Sequence, residues 1–426
     1  MRTTAIIAEY NPFHNGHSYH IKKARELTDA DFILVLISGD YVQRGTPAVI
    51  DKYRRAEMAL SQGADLVLEL PLYYSLGSLE YFAKGAVSLL DRLGLVDYLS
   101  FGSESGELAL LKETADALDE RESPEYQERL RGYIRKGLSF PAAQEKAMVE
   151  LGLSEKSAAV IREPNNALAI AYLRALKARG SKITPVTLKR YLSAHHDNTE
   201  GSYSATAIRS RLQSKEALFD LAMSLPDTVL QIMVSDYDKR FPVTENDFSG
   251  ALFYKLHSCY TKALQEYGDR ETARKKALTG FLDINEELSS RLLSIYKEAS
   301  SFSDLCGKVK SKDLTYTRIS RAAMHIILDI SAANMKEYIA DDYNYYARIL
   351  GFRSGESTAS LLHGLKQSSA LPLITKLADA DKILTGRNAR RLLSEEIQAS
   401  DLYERTACMK YHGLFRSEYV RNIVKY

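Results

Sequence analysis

The fold of this chain is decided near its amino terminus, by the stretch Thr4-Ala5-Ile6-Ile7-Ala8-Glu9-Tyr10-Asn11-Pro12-Phe13-His14-Asn15-Gly16-His17. The apolar, β-branched first part predicts a buried strand over residues 3–8. The strand breaks at Asn11-Pro12, which is a turn signal, and helical periodicity resumes at about Ser18. The chain therefore begins with a strand, a tight turn and a helix, and the turn carries the chemically active side chains.

Two histidines lie in this turn at the point where the helix begins. Gly16 stands between His14 and His17 and lets a ligand approach the backbone closely. A helix N-terminus presents free N–H groups and a positive dipole end, so two imidazoles beside it form a donor-rich cradle for a phosphate. Such a cradle suits the negative charge that grows on an α-phosphate during nucleotidyl transfer. Two surface histidines that only cap a helix are the simpler alternative, but the order of strand, turn, glycine, histidines and helix favours the phosphate site.

The composition is that of ordinary globular material. The chain has 426 residues, of which 45% are hydrophobic and 26% charged, and its length predicts two or three domains. A formal net charge of +2 neither requires nor excludes nucleic acid. Cys259, Cys306 and Cys408 have no paired spacing, so we expect free thiols, a reducing compartment and no metal site. With neither a signal peptide nor a long apolar run in view, the sequence predicts a cytoplasmic protein.

Strand-like and helix-like segments alternate through the first half of the chain. The predicted strands cover 3–8, 31–37, 64–70 and 98–101, with a last, edge strand at 182–188. This alternation requires parallel strands joined by right-handed crossovers. We therefore predict an α/β fold with a doubly wound parallel sheet, whose ligands bind at the carboxyl ends of the strands.

Two loops at those carboxyl ends carry candidate site residues. Asp40, Gln43 and Arg44 lie in a glycine-bounded loop after the second strand, which is either a polar surface turn or part of the site. Asp40 could orient a substrate amine, bind a metal ion or act as a base. After the fourth strand, Gly102 would let adenine or ribose pack against the backbone.

Further candidates follow in the second part of the alternating region. Arg190 ends the last strand, where a fixed cation can clamp a phosphate with two hydrogen bonds. Asn165 stands at the start of a helix, and capping alone would explain it. Ser204 is a natural N-cap for a helix that carries Thr206 and Arg209.

From about residue 213 onward, strand signals nearly vanish and apolar residues recur with helical spacing. We expect a nucleotide-binding domain over 1–213, with a helical insertion at about 105–160, and a mostly α-helical domain over 214–426. Basic clusters in the second domain suit a folded RNA, although a solvated helix face explains each of them equally well. The neighbouring His195 and His196 point apart and do not chelate one ion easily, so we interpret 193–197 as a polar loop.

The turn with His14, Gly16 and His17 resembles the first signature of the His-x-Gly-His nucleotidyltransferases, and the helix start with Ser204, Thr206 and Arg209 resembles their second signature. The particular form over 8–17, with Gln43-Arg44-Gly45, Pro47-Ala48 and Lys52, is similar to the bacterial tRNA(Met) cytidine acetate ligases. The resemblance implies that acetate attacks the α-phosphate of ATP to give acetyladenylate. It further implies that the N4 amine of the wobble cytidine of elongator tRNA(Met) then takes the acetyl group. ATP, acetate and tRNA are the implied substrates, Mg²⁺ is expected with ATP, and neither DNA nor a membrane is expected as a partner.

The resemblance also implies roles for individual residues. The catalytic candidates are His14, His17 and Asp40, and Gln43 and Arg44 belong to the loop that would close the pocket. The implied ATP-binding residues are Ile7, Ala8, Glu9, Tyr10, Asn11, Pro12, Phe13, His14, Asn15, Gly16, His17, Gly102, Asn165, Arg190, Ser204, Thr206 and Arg209.

Two other functions use the same residues. A plain nucleotidyltransferase would join AMP to a phosphorylated small molecule, and the size of the helical half argues against it. An RNA-binding protein with a non-catalytic nucleotide site is the alternative from another class, and the intact His14, Gly16 and His17 argue against that.

Overall fold

A computed structural model gives the structure of the protein and describes residues 1–120, 123–190, 203–212 and 215–426. The five strands predicted in the first half are confirmed to within a few residues. The described strands are β1 Thr3–Ala8, β2 Phe32–Ser38, β3 Tyr41–Val42, β4 Thr46–Pro47, β5 Leu66–Leu70, β6 Tyr98–Ser103, β7 Thr184–Lys189, β8 Ala347–Phe352, β9 Leu373–Ile374 and β10 Val424–Lys425.

Helices cover both faces of the sheet and make up most of the second half of the chain. The described α-helices are α1 Asn15–Thr28, α2 Lys52–Ser61, α3 Leu72–Ser75, α4 Leu79–Arg92, α5 Leu108–Glu120, α6 Pro124–Arg135, α7 Phe140–Glu150, α8 Glu155–Ala159, α9 Pro164–Arg179, α10 Ala205–Arg211, α11 Lys215–Asp220, α12 Asp227–Asp236, α13 Ser249–Tyr267, α14 Arg270–Lys276, α15 Glu286–Ile295, α16 Phe302–Val309, α17 Tyr316–Ile327, α18 Ala332–Ala340, α19 Glu356–Ser368, α20 Ala380–Ile383 and α21 Arg387–Tyr411.

The central sheet has the strand order β10-β8-β5-β2-β1-β6-β7, with β9 beside β8. β1 pairs in parallel with β2 on one side and with β6 on the other, and β7 is the parallel edge strand. The strand order therefore reverses between β1 and β6, where the loops diverge and leave a crevice at the carboxyl ends. The turn that holds the two histidines follows β1 into this crevice.

The second half is mostly helical, as predicted, but it also returns to the sheet. β8 pairs antiparallel with β5, and both β9 and β10 pair in parallel with β8. The sequence-based expectation that strands nearly vanish there missed these three. β8 is interrupted by Arg348 and Gly351, so it shows neither a continuous apolar run nor clean alternation, and β9 and β10 have two residues each.

Two groups of buried apolar side chains pack on the two faces of the sheet. Ala5 and Leu34 belong to the first group, which includes residues of α4 and α9 and continues into the helical half. Ile6 and Val35 belong to the second group, with residues of α1 and α2. Alternate residues of each strand thus enter opposite cores, as expected of a sheet that is covered on both faces.

Some sequence-based predictions concern residues outside the described ranges. They include the boundary at 213/214 and the loop with His195 and His196, so the division into two domains stays a prediction. Within the described ranges, no helix is both long and apolar enough to cross a membrane.

Candidate active site

The two histidines of the turn cap helix α1 together. His14 is the N-cap residue, and its Nδ1 accepts a hydrogen bond from the backbone N–H of Gly16 at 3.1 Å. In return, the backbone N–H of His14 donates to Nδ1 of His17 at 3.2 Å. This reciprocal pattern is a capping box built from histidines, and the spacing His-x-x-His fits it because the N-cap and N3 residues face each other. Local hydrogen bonding therefore fixes both rings.

The same bonds decide which ring nitrogen carries the proton. Because Nδ1 of His14 and Nδ1 of His17 both accept, each neutral ring carries its hydrogen on Nε2 and can donate it outward. The rings are stacked, with centroids 3.8 Å apart. Burial lowers the pKa of His14 to about 4, and the Arg190 charge adds to this. Burial and the neighbouring His14 and Arg190 hold the pKa of His17 well below its usual range. Both rings are therefore neutral donors at neutral pH.

Buried aromatic rings and a third histidine support this pair. The rings of Tyr10 and Phe13 lie 4.8 and 5.4 Å from the His17 ring, centroid to centroid. His20, one turn further along α1, places Nε2 3.0 Å from Ser100 Oγ in β6. Burial and Arg190 lower the pKa of His20 to about 4. Sequence analysis missed His20, although its spacing of three from His17 repeats the spacing of the motif.

Arg190 approaches the histidines from the neighbouring loop. Its Nη1 donates to Oδ1 of Asn165 at 2.7 Å, and Asn165 Nδ2 donates to Glu104 Oε1 at 2.5 Å. Glu104 Oε2 also accepts the backbone N–H of Asn166 at 2.7 Å, so its carboxylate anchors the start of α9. A Cβ added at Gly102 would lie 2.9 Å from Arg190 Cγ, so the arginine packs over that glycine. Sequence analysis singled out Gly102, Asn165 and Arg190 but missed Glu104, which joins them.

One arginine of the second signature, Arg209, forms a hydrogen bond with the turn of the first. Ser204 caps α10 by accepting the backbone N–H of Ala207 at 3.3 Å, as expected from the sequence. Nη1 of Arg209 donates to the backbone carbonyl of Asn11 at 2.7 Å, and its Nη2 donates to Thr206 Oγ1 at 3.0 Å. These two segments are 198 residues apart in the chain. We call His14, His17, Arg190 and Arg209 together the imidazole cradle.

The loop after β2 lies against the end of β1. The backbone N–H of Gln43 donates to Oε1 of Glu9 at 2.9 Å, and Arg44 is exposed. Gly45 has φ +81°, and a Cβ there would lie 2.2 Å from a backbone nitrogen of α17. Ser320 of α17 donates from Oγ to the carbonyl of Gly45 at 2.6 Å. The helical half therefore holds the tip of this loop in place.

Asp40 lies in a different environment from the two histidines. It is 5% exposed, and its Oδ1 accepts the backbone N–H of Lys52 at 3.0 Å. Lys52 Nζ lies 2.8 Å from Glu69 Oε1 and 2.6 Å from Glu418 Oε1. Arg348 of β8 pairs with the same two carboxylates at 3.1 and 2.6 Å. We call Asp40, Lys52, Glu69, Arg348 and Glu418 the ion network.

The burial and the neighbouring charges of the ion network shift the pKa of Asp40. Burial raises the pKa of Asp40 to about 6, Lys52 opposes this, and the charges of Glu418 and Glu69 add to it. Lys52 and Arg348 hold the pKa of Glu418 at about 2, against the effect of its burial. The contacts of Asp40 thus fix it to Lys52 at the start of α2, and its role in catalysis stays a prediction.

Comparison with known proteins identifies the family. A profile of the HIGH Nucleotidyl Transferase family matches residues 1–414. Proteins named tRNA(Met) cytidine acetate ligase are 35% identical over 428 residues in Thermoanaerobacter sp. strain X514 and 36% identical over 437 residues in Acetivibrio thermocellus. Each alignment covers 100% of both chains. The chain belongs to the tRNA(Met) cytidine acetate ligase family. It is thus an enzyme of a ligase family, as the sequence motifs indicated.

Solved structures agree with this assignment over the whole length. A crystal structure of Thermotoga maritima TmcAL bound with alpha-thio ATP has a TM-score of 0.86, with 28% identity and 100% and 99% of the two chains covered. The apo form of the same protein has a TM-score of 0.87, with 28% identity and full coverage of both chains. The predicted fold class is therefore confirmed across both halves of the chain.

Proposed function

We propose that this protein activates acetate with ATP and transfers the acetyl group to the N4 amine of the wobble cytidine of elongator tRNA(Met). The observation that carries the proposal is the hydrogen bond from Arg209 to the carbonyl of Asn11. This bond brings the helix of the second signature to the turn of the first. Full-length similarity to proteins named for this reaction supports the choice of substrates.

The imidazole cradle would act on the α-phosphate. Nε2–H groups on His14 and His17 point away from the capping bonds that fix their Nδ1 atoms. Fixed donors of this kind stabilise negative charge that develops in a transition state, because they need no reorganisation during the reaction. Arg190 adds a positive charge, and its neighbours Asn165 and Gly102 would hold the adenosine.

The remaining phosphates would lie toward α10. Ser204, Thr206 and Arg209 are the residues proposed to hold them, and Arg209 is already fixed by its two hydrogen bonds. The described residues contain no group of three or more His, Cys, Asp or Glu side chains suited to a metal ion. Mg²⁺ is expected with ATP, where it would supply positive charge that neutralises the phosphates.

The loop with Gln43 and Arg44 would protect the acyl-adenylate from water. It is tied to β1 through Glu9 and to α17 through Gly45. Asp40 begins this loop, and its buried contacts with Lys52 support a positioning role for it there. The helical part over 214–426, which reaches the loop through Ser320, is the part proposed to contact tRNA.

The proposal is tested by ATP-dependent incorporation of radiolabelled acetate into bacterial tRNA that lacks N4-acetylcytidine, followed by nucleoside analysis. We expect the label in N4-acetylcytidine and none when ATP is left out. Pyrophosphate release without label in RNA, stimulated by a phosphorylated metabolite, would favour a plain nucleotidyltransferase instead. Binding of tRNA without any pyrophosphate release would favour a non-catalytic RNA-binding protein.

A further inference from the structure

Glu9 places a carboxylate at the end of β1, immediately before the histidine turn. Side chains alternate along this strand, and Ala5 and Ile7 pack in the core that includes α9, whereas Ile6 and Tyr10 pack in the other core. Glu9 continues the first series. Burial raises the pKa of Tyr172 in α9 well above its usual range, and the charge of Glu9 adds to this. The carboxylate therefore lies within electrostatic reach of α9, and it is hydrogen-bonded to the loop after β2.

One oxygen of this carboxylate is fixed and the other is available. Oε1 accepts the backbone N–H of Gln43 at 2.9 Å. Within the described ranges, Oε2 has no hydrogen-bond partner, and no lysine or arginine forms an ion pair with Glu9. Nη1 of the neighbouring Arg55 donates instead to the backbone carbonyl of Glu9, at 2.7 Å. Glu9 is only partly buried, so a substrate can reach the second oxygen.

Two other carboxylates at this edge of the sheet are occupied. Both oxygens of Glu104 accept hydrogen bonds from the start of α9. Asp40 is 5% exposed and lies against Lys52, with its Oδ2 3.7 Å from Nζ. Of these three, Glu9 is the one with a free and accessible acceptor atom.

A carboxylate beside a phosphate cradle repels the phosphates, since like charges a few ångströms apart raise each other's energy. Its presence there is explained by a substrate group that donates a hydrogen bond and loses a proton. We propose that Glu9 is a catalytic residue of the acetyl-transfer step, accepting a proton from the N4 amine of the acceptor cytidine. This inference rests on the proposed function and adds a base that the sequence motifs did not assign.

The acetyl transfer forms one bond and breaks another. The lone pair of the N4 nitrogen attacks the carbonyl carbon of acetyladenylate, and a C–N bond forms. The bond between that carbon and the phosphate oxygen breaks, and AMP leaves with the electron pair. One amine proton passes to Glu9 Oε2 and then to solvent, and the product is an amide. An aromatic amine is a poor nucleophile, so removing its proton as the bond forms lowers the barrier.

The test separates the two half-reactions in the Glu9→Gln variant. Glutamine keeps the side-chain oxygen that accepts the Gln43 N–H but cannot take a proton. Acetate-dependent exchange of labelled pyrophosphate into ATP reports the first step. Single-turnover transfer of labelled acetyl from preformed adenylate to unmodified elongator tRNA(Met) reports the second. Because positioned bases contribute about 10² to 10⁴-fold, we expect transfer to fall at least about 100-fold more than exchange.

Two further variants make the result decisive. Glu9→Asp retains a displaced carboxylate, so its transfer rate should lie between those of the wild type and Glu9→Gln. Asp40→Asn tests the competing carboxylate of the loop. Glu80→Gln changes a carboxylate in an exposed pair outside the site, so its ratio of transfer to exchange should stay within about threefold of the wild type, far from the general-base range. Equal losses of exchange and transfer in Glu9→Gln would overturn the inference and show that Glu9 serves ATP alone. A selective loss of transfer in Asp40→Asn would make Asp40 the base. Failure of the wild type to form adenylate would instead reject the proposed function.

Discussion

The imidazole cradle and the ion network are two charged clusters at the same end of one sheet, and they are built in opposite ways. In the imidazole cradle, backbone and ring atoms hold the two imidazoles through their Nδ1 atoms, and no residue in the described ranges accepts a hydrogen bond from their Nε2–H groups. In the ion network, Lys52 and Arg348 point at Glu69 and Glu418, and all four side chains are nearly fully buried.

This difference separates residues that are proposed to bind a ligand from residues that hold the fold. A buried charge whose partners are all present has little left to offer a substrate, and removing one partner leaves another charge uncompensated. A side chain that is held on one side and free on the other can bind a ligand without rearranging. Asp40 and Lys52 stand beside the candidate loop in the sequence, yet their contacts place them with the ion network.

The largest effect should come from breaking the ion network. Lys52→Met removes one of the two cations that pair with Glu69 and Glu418, and the loss of a partner from a buried ion pair lowers the free energy of unfolding by about 3–5 kcal/mol. Urea unfolding followed by circular dichroism measures the change. Lys84→Met is the matched control, because Lys84 forms an exposed pair with Glu80, and such pairs contribute about 0–1 kcal/mol. Equal, small losses in both variants would contradict the contrast between the two clusters.

Next in size is the effect of removing one donor of the imidazole cradle. His17→Ala should lower pyrophosphate exchange about 10² to 10³-fold, as when one donor to a transition-state oxyanion is lost. The free energy of unfolding should fall by only about 1 kcal/mol, because the helix loses one capping acceptor. His257→Ala, at an exposed position on α13, is the control and should change neither quantity. If His17→Ala lost tRNA binding together with stability, His17 would be a structural residue.

A smaller effect should appear as a pH dependence of stability. The pKa of His14 in the folded protein is about 4, below the ordinary value of 6.5, so the unfolded chain binds more protons below pH 6.5. The contribution of His14 to the free energy of unfolding is therefore fully present above pH 6.5, and it is lost as the pH falls from 6.5 toward 4. His14→Asn keeps an N-cap residue and removes this titration. Between pH 7 and pH 5 the wild type should lose about 2 kcal/mol more than the variant in urea unfolding, and parallel curves would contradict the buried, neutral His14.

The smallest effect should come from weakening the link between the two signatures. Arg209→Lys keeps the charge but cannot bond to the Asn11 carbonyl and to Thr206 in the same fork geometry. We expect the KM for ATP in pyrophosphate exchange to rise roughly tenfold, since a hydrogen bond from a charged group contributes about 1.5–3 kcal/mol. Arg211→Lys on the same helix is the control, because its Nη1 contacts a carbonyl of its own helix. An equal rise in both variants would show that α10 responds to any change of its cations.

The sequence was sufficient for features that depend on neighbours in the chain. β1, β2 and β5 are short, mostly apolar runs that the two cores bury, and Ser204 caps the helix that directly follows it. The histidine turn could be predicted from the sequence for the same reason, because its capping hydrogen bonds span only two or three residues.

The sequence was insufficient where partners are far apart. Arg348 meets Tyr53 across 295 residues, and no local pattern marks β8 as a strand beside β5. Glu104 was passed over because its function is to bind the backbone at the start of α9, about sixty residues later. The sequence makes Asp40 a catalytic candidate from its place in the loop, and that role stays a prediction; the folded chain adds that Lys52 lies against it.

Acetate-dependent exchange of labelled pyrophosphate into ATP, measured without tRNA, tests the central claim most directly. The claim is that the imidazole cradle forms acetyladenylate before the RNA takes part. We expect exchange with ATP and acetate alone, none when acetate is omitted, and a loss of about 10² to 10³-fold in His17→Ala. Exchange that is independent of acetate, or that survives in His17→Ala at the wild-type rate, would contradict it.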